Sequence, residues 1–151
     1  MAVPQFGEAV PGLDYADRPA AFGLALRGGA IAVVHVSPDG FEPWIDLPGG
    51  GVDPGETPDQ AVVREFGEEA GLKVAAGTAF ARADQFFVNT DGVPFNNRQT
   101  FFRLQIEAEA PELQVEADHR LAWLEPQEAI ARLRHDSHAW AVAAWLRQGA
   151  T

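Results

Sequence analysis

The distribution of apolar and polar residues predicts a chain that alternates between short strands and helices. Two apolar runs, 21–26 and 30–36, flank the turn sequence Arg27-Gly28-Gly29, and this arrangement predicts a β-hairpin. Further strands are predicted where short apolar or aromatic stretches stand between turn residues, over 44–47, 79–88, 100–107 and 121–124.

Three segments have the period of an α-helix. The first, 58–70, follows Thr57, which forms a capping-box pair with Gln60, and Gly71 is suited to end it in the left-handed conformation. Its apolar side chains fall on one face that can be buried, formed by Val62, Val63, Phe66 and Ala70. Two further helices are predicted over 126–134 and 137–148.

The remaining segments are predicted as connections. Residues 73–78 have no clear period and are predicted as irregular structure or a short strand. The segment 89–99 contains Asp91-Gly92 and Pro94, which favour a long loop, and the acidic segment 108–118 predicts a surface loop.

The order of these elements favours a mixed sheet held between helices, an α/β sandwich. Periodicity alone indicates only mixed α and β structure. Residues 1–19 contain prolines and glycines and predict a mostly extended N-terminal arm, which packs on the domain or on a partner. Residues 20–151 predict a single domain, and the protein is expected to be a monomer or a homodimer.

Composition narrows the class of protein. No run approaches 18 apolar residues, so no membrane-spanning helix is predicted, and the N-terminus lacks the basic and apolar regions of a signal peptide. The absence of cysteine excludes disulfides and thiolate metal sites and fits a reducing cytoplasm.

The formal net charge of −11 argues against non-specific binding to nucleic acid polymers or anionic membranes. It would also repel a phosphorylated small molecule. A divalent cation bound to a cluster of carboxylates reverses the local field, so phosphate chemistry in this protein would require one.

The segment 47–72 contains such a cluster. Taking Glu65 as the origin, Glu69 lies about 40° and Glu68 about 300° around the predicted helix, so three carboxylates share one face. Like charges at this spacing repel one another, which a helix built only for stability would avoid. The glycine-rich loop 47–56 precedes the helix, and a carboxylate face beside a shaped loop is typical of sites for hard cations.

These residues resemble the signature of the Nudix hydrolase family, G-x5-E-x7-R-E-U-x-E-E-x-G-U, where U is aliphatic. The one departure is Phe66, which is aromatic and changes the packing beneath the helix while leaving the acidic face intact. The matching residues of this chain, from Gly50 to Leu72, are Gly50, Glu56, Arg64, Glu65, Glu68, Glu69, Gly71 and Leu72.

The resemblance implies a Nudix-like α/β/α sandwich and a hydrolase dependent on Mg²⁺, or on Mn²⁺. The substrate implied is a nucleoside diphosphate linked to another group. The small size of the chain and the lack of an added domain slightly favour a nucleoside triphosphate over ADP-ribose or a dinucleoside polyphosphate. The metal ligands that it implies are the side chains of Glu65, Glu68 and Glu69 and the backbone carbonyl of Gly49.

Supporting, proton-transfer and substrate-binding roles concern other residues. The resemblance implies that Glu56 supports the site and that Arg64 orients one of its glutamates. Glu65 or Glu68 could act as the general base, and so could a carboxylate of the acidic loop, Glu116 or Asp118. A stacking or donor role towards the substrate is considered for Phe86, Asn96 and Arg98, against ordinary core packing and turn chemistry. A competing hypothesis is a nucleotide- or metal-sensing module without turnover.

Overall fold

One mixed β-sheet forms the centre of the computed structural model, which describes residues 2–149. Its strands are β1 (Gln5–Phe6), β2 (Ala16–Arg27), β3 (Ala30–Val36), β4 (Trp44–Asp46), β5 (Gly49–Gly51), β6 (Leu72–Val88), β7 (Pro94–Glu109) and β8 (His119–Leu124). The helices are α1 (Pro58–Ala70), α2 (Pro126–Arg132) and α3 (Asp136–Arg147), and a 3-10 turn covers Pro111–Leu113.

The strand order is β1-β6-β7-β2-β3-β4, with β5 paired to β2 and β8 paired to β3. Strand β2 runs parallel to β7 and β1 runs parallel to β6, whereas the remaining pairs are antiparallel. The sheet is therefore mixed, as predicted. Strand β2 lies at its centre and brings the glycine strand β5 next to the long strands.

Helices cover both faces of this sheet. Side chains of β3 alternate: Ile31 and Val33 pack with the apolar residues of α2 and α3, whereas Ala32 and Val34 pack with those of α1. The two clusters confirm the α/β/α sandwich. Among residues 2–149, no helix is both long and apolar enough to cross a membrane.

Two predicted connections are parts of long strands. Residues 73–78 belong to β6, which follows β7 through register shifts at Lys73/Val74 and Ala76/Ala79. The prediction of a loop over 89–99 was wrong for its second half, because β7 begins at Pro94 and pairs there with both β6 and β2. Polar side chains in 96–99 find partners on neighbouring strands and helices, so they do not form a turn.

The N-terminal segment packs on the domain of its own chain. Gln5 and Phe6 pair with Asp84 and Gln85 of β6, and β2 runs through Pro19 and Ala20 without interruption. We therefore propose that the arm comprises only the residues before Ala16. It adds a short edge strand beside β6 and does not separate the central strands from one another.

Candidate functional site

A cavity of about 420 Å³ opens where α1, β5 and the loop before β8 meet the ends of β2, β6 and β7. Its carboxylate end is formed by Glu65, Glu69, Glu116 and Asp118, with His119 between them. Its strand end is formed by Arg18, Phe87, Asn97 and His135, and the two ends meet over Gly49–Gly51.

Local sequence signals fix the helix that carries the glutamates. The side-chain oxygen of Gln60 accepts a hydrogen bond from the Thr57 N–H at 3.0 Å, and Pro58 occupies the first turn. At the other end Gly71 adopts a φ of 63° and its N–H caps the helix. Fully buried Val62 and Phe66 hold the helix against the sheet, which turns the opposite side towards the cavity.

Arg64 ties three carboxylates together behind the cavity. Its guanidinium donates to both oxygens of Glu56 at 2.8 and 2.9 Å, to Glu65 at 2.7 Å and to Glu68 at 3.2 Å. It also donates to the carbonyl of Gly51 at 3.1 Å, which anchors the glycine strand. The hydrogen bonds from Arg64 lower the pKa of Glu56 to about 2.

Glu65 is the member of this group that reaches the cavity. Burial raises its pKa, although the hydrogen bond and charge of Arg64 act in the opposite direction. A Cβ at Gly50 would lie 3.0 Å from the Glu65 carboxylate, closer than the carboxylate could tolerate without moving. The glycine therefore leaves the room that this carboxylate occupies.

Glu69 is buried, and each of its carboxylate oxygens has one partner. One of its oxygens accepts a hydrogen bond from the Gly49 N–H at 2.9 Å, and the other lies 3.1 Å from Nε2 of His119. Burial raises the pKa of Glu69 to about 7. Burial opposes protonation of His119, but its hydrogen bonds to Glu69 and Asp118 raise its pKa to about 9. Between these values the two side chains form an ion pair.

The loop before β8 supplies further donors. Potential ligand atoms of Glu116, Asp118 and His119 lie within 4.8 Å of one another. The loop is held by two N–H groups, those of Val115 and Glu116, which both donate to the Glu68 carbonyl at 3.0 and 3.1 Å. The carboxylate oxygens of Glu116 and Asp118, together with that of Glu65, are ligands of the kind that hard divalent cations prefer. The residues of this end therefore fit such an ion.

The structure brings most of the predicted acidic residues to one place. The side chains of Glu56, Arg64 and Glu68 stand behind the cavity as an ion-paired cluster, and they are not among its lining residues. The predicted residues that line it are Gly49, Glu65, Glu69, Glu116 and Asp118.

The three predicted substrate residues lie elsewhere. Phe86 packs edge-on against Tyr15, Asn96 is buried and bonds to Gln5, and Arg98 pairs with Asp84 and with Asp17 at 3.1 Å. Because side chains alternate along a strand, the residues of the opposite parity point into the cavity. Phe87 and Asn97 therefore line it where Phe86, Asn96 and Arg98 do not.

Sequence reasoning missed a second group of lining residues near β4. Arg134 donates to both oxygens of Asp46 at 3.2 and 2.8 Å, and its guanidinium carbon lies 4.1 Å from the centre of the Trp44 ring. The Trp44 indole N–H also donates to Asp46 at 3.0 Å. In the sequence, only the short spacing of Trp44 and Asp46 points to this arrangement, because Arg134 lies 88 residues after Asp46.

A buried polar network lies beneath the cavity and reaches it through His138. Nδ1 of His138 accepts a hydrogen bond from the Leu47 N–H at 3.3 Å, and its Nε2 lies 3.2 Å from Oε1 of Gln99. Burial holds the pKa of His138 well below its usual range, so the imidazole is neutral and donates to Gln99. The Gln99 amide in turn donates to the Ser137 hydroxyl at 3.0 Å, which fixes α3 to β7.

The protein thus combines a mixed sheet between helices with carboxylates gathered in a cavity beside a glycine strand. The family model described as NUDIX domain matches residues 17–146, and the chain belongs to that family. A sequence search of curated proteins found no match.

Solved structures share the fold at low sequence identity. A NUDIX hydrolase from Nitrosomonas europaea is 18% identical, with a TM-score of 0.75 over 87% of this chain and 90% of its own. The MutT protein from Methanosarcina mazei Go1 is 18% identical, with a TM-score of 0.72 over 93% of this chain and 100% of its own. An ADP-ribose pyrophosphatase from Streptococcus suis is 18% identical, with a TM-score of 0.63 over 89% and 92% of the two chains.

Proposed function

We propose that this protein hydrolyses the diphosphate linkage of a nucleoside diphosphate joined to another group, with Mg²⁺, or Mn²⁺, as its cofactor. A nucleoside triphosphate is the first candidate, followed by ADP-ribose and a dinucleoside polyphosphate. We further propose that it acts in the cytoplasm. The proposal depends on one observation, the convergence of Glu65, Glu69, Glu116 and Asp118 on a cavity beside Gly49–Gly51.

Electrostatics supports a bound cation as part of this function. The chain carries a net charge of −11, and burial raises the pKa of Glu65 and Glu69, so the cavity by itself disfavours further negative charge. A divalent ion bound there supplies the positive field that attracts a polyphosphate and lowers the pKa of an attacking water. Because carboxylates must be ionised to bind it, binding of the ion releases protons.

The residues divide into those that would bind the ion and those that position them. Glu65 and Glu69 are proposed as ligands from the helix, and the Gly49 carbonyl as a ligand from the glycine strand. Arg64 acts as a positioning residue, because its hydrogen bond at 2.7 Å fixes one oxygen of Glu65. Glu56 in turn fixes the guanidinium through a two-point contact, and Glu68 shares the same arginine.

For the general base, the loop before β8 offers carboxylates besides the glutamates of α1. Glu116 and Asp118 lie in the cavity with no arginine partner among residues 2–149, unlike Glu56 and Glu68. Either is therefore placed to accept the proton of an attacking water. Asp118 additionally contacts Nδ1 of His119 at 2.7 Å. We therefore favour Glu116 as the residue that accepts the proton.

A screen of substrates tests the proposal directly. The purified protein would be incubated with nucleoside triphosphates, ADP-ribose and a dinucleoside polyphosphate, with Mg²⁺ and with EDTA, and the products identified by mass. We expect Mg²⁺-dependent formation of two phosphorylated products from at least one of these classes. Binding of a nucleotide without any turnover would favour the sensing module instead and would overturn the enzymatic proposal.

A further inference from the structure

Arg18 is a cation of the cavity for which the metal chemistry gives no role. It lies on β2, is half-buried, and its Nε donates to Oδ1 of Asn97 at 2.8 Å. Its guanidinium carbon lies 4.7 Å from the ring centre of Phe95 and 5.5 Å from that of Phe87. Two aromatic rings and an amide therefore fix the orientation of the group.

The two arginines that line the cavity differ in their partners. Arg134 forms a two-point ion pair with Asp46. Among residues 2–149, by contrast, no carboxylate lies within ion-pair distance of Arg18, and its hydrogen bond to Asn97 uses only one of five N–H donors. None of its nitrogens is buried without a partner, so the free donors are reachable from solvent in the cavity.

A half-buried guanidinium without a counter-ion is unfavourable in the free protein. Burial lowers the pKa of Arg18, and the nearby charges of Glu65 and Asp91 compensate only in part. In a chain with 22 acidic residues against 11 basic ones, a carboxylate partner would be easy to provide. The neutral amide of Asn97 instead orients the guanidinium and leaves it without a paired carboxylate.

The glycine strand places this cation beside the carboxylate end. A Cβ at Gly51 would lie 3.5 Å from the Arg18 side chain, whereas a Cβ at Gly50 would lie 3.0 Å from the Glu65 carboxylate. Because successive residues of a strand face opposite ways, Arg18 and Glu65 lie on the two sides of β5, and both side chains reach the cavity that opens there. An anion lying across this strand would meet the bound cation near Glu65 and the guanidinium of Arg18.

We propose that Arg18, oriented by Asn97, is the phosphate-binding residue of the strand end and donates to non-bridging oxygens of the substrate's polyphosphate. This inference rests on the proposed function, because it assigns a residue to the substrate of the same cavity. Guanidinium N–H groups match phosphate oxygens in geometry and charge, and each such contact is stronger than a neutral hydrogen bond.

Inorganic tripolyphosphate isolates this contribution, since it has no base or ribose. Its affinity in the presence of Mg²⁺ would be measured by titration calorimetry for the wild type and for Arg18→Gln. We expect the variant to bind about 10- to 100-fold more weakly, the range for loss of a charged hydrogen bond. Arg18→Lys should recover part of the loss, because it retains the charge without the forked geometry.

Arg98→Gln is the matched control. Arg98 lies on the neighbouring strand β7, pairs with Asp84 and Asp17, and does not line the cavity, so we expect its replacement to leave tripolyphosphate affinity unchanged. Asn97→Asp is a second test that keeps Arg18 in place. The new carboxylate would pair with the guanidinium, and we expect binding to weaken about 10-fold or more.

Three results would overturn the inference: no binding by the folded wild type, unchanged affinity in folded Arg18→Gln, or an equal loss in Arg98→Gln. If Arg18→Gln fails to fold, as judged by thermal melting, unchanged affinity in Asn97→Asp has the same force. Hydrolysis measured in parallel separates the two proposals. Turnover that is insensitive to Arg18 refutes this inference alone, whereas Arg18-dependent binding without any turnover refutes only the hydrolase.

Discussion

The two ends of the cavity are built in opposite ways. At the carboxylate end, Glu65 and Glu69 lie about one turn apart on one helix. Arg64, the adjacent residue, holds Glu65, and Gly49 of the glycine strand holds Glu69. At the strand end, Arg18, Phe87, Asn97 and His135 come from three strands and the start of α3. The helix glutamates of the first end belong to a local motif, which Glu116, Asp118 and His119 join from a distant part of the chain. The strand end has no local part and exists only once the sheet has formed.

The ends also differ in electrostatic character. Burial raises the pKa of Glu65 and Glu69, so in the free protein negative charge at the carboxylate end is energetically unfavourable. At the strand end, burial and the charge of Arg134 lower the pKa of His135 to about 3, which keeps that ring neutral. Arg18 is then the unpaired charge facing the acidic end. This difference in sign would orient a polyphosphate between a cation held by the glutamates and the guanidinium.

The largest expected effect is at the carboxylate end. Glu65→Gln and Glu69→Gln keep the shape of the side chains but remove charged oxygen ligands, and we expect Mg²⁺-dependent hydrolysis to fall by at least about 10³-fold. Glu68→Gln should cost less, since that side chain is not among those lining the cavity. Steady-state kinetics on the preferred substrate would measure the three variants.

Glu128→Gln provides the control for these substitutions. Glu128 is exposed on α2, where it pairs with Arg132, and we expect its replacement to leave turnover unchanged. Thermal melting would show that all four variants are folded. Full activity in both Glu65→Gln and Glu69→Gln would contradict the assignment of the carboxylate end to catalysis.

The sequence predicts the helix glutamates of the carboxylate end better than it predicts the strand end, because only the former belong to a local motif. The predicted helix 58–70 coincides with α1 because Thr57, Gln60, Pro58 and Gly71 are all local signals. The motif also indicated Glu65 and Glu69, which do line the cavity. The strand end had no such signal, because a strand presents alternate residues to opposite faces and the register was unknown.

Polar residues within strands caused the clearest error. Asn96, Asn97, Arg98 and Gln99 have the composition of a turn, and the segment was predicted as a loop. In the structure they continue β7, where Asn97 holds Arg18 and Gln99 holds Ser137 and His138. Their partners are distant in the sequence, so only the tertiary structure shows that these polar groups are satisfied.

Replacement of Arg64 should give the next largest effect. Arg64→Lys retains the charge but cannot contact Glu56 at two points while also fixing Glu65 and Glu68. We expect kcat/KM to fall about 10- to 100-fold, the range for residues that orient metal ligands. A titration of activity against Mg²⁺ concentration would measure the accompanying loss of metal affinity. An unchanged Mg²⁺ dependence would show that Arg64 has only a structural role.

Two neighbouring glycines allow a finer comparison of the ends. Gly50→Ala places a methyl group 3.0 Å from the Glu65 carboxylate, which must move, whereas Gly51→Ala meets Arg18 at an ordinary contact distance of 3.5 Å. Neither glycine has a positive φ, so the backbone accepts alanine at both. We expect Gly50→Ala to lower kcat about 10-fold and Gly51→Ala to change it less, because displaced reactive groups slow chemistry. Equal kcat values would contradict this reasoning.

The smallest expected effect concerns the stability of the strand end in acid. His135 takes up a proton near pH 3 in the folded protein, because it is partly buried and close to Arg134, but near pH 6.5 in the unfolded chain. Between these values the unfolded state binds more protons, so acidification lowers the free energy of unfolding, by at most about 1.4 kcal/mol per pH unit from this residue. Urea unfolding from pH 6.5 to pH 5 should therefore show a shallower pH dependence in His135→Gln than in the wild type. His138, whose pKa is lowered in the same direction, remains in both proteins, so identical slopes would mean that the acid sensitivity does not arise at His135.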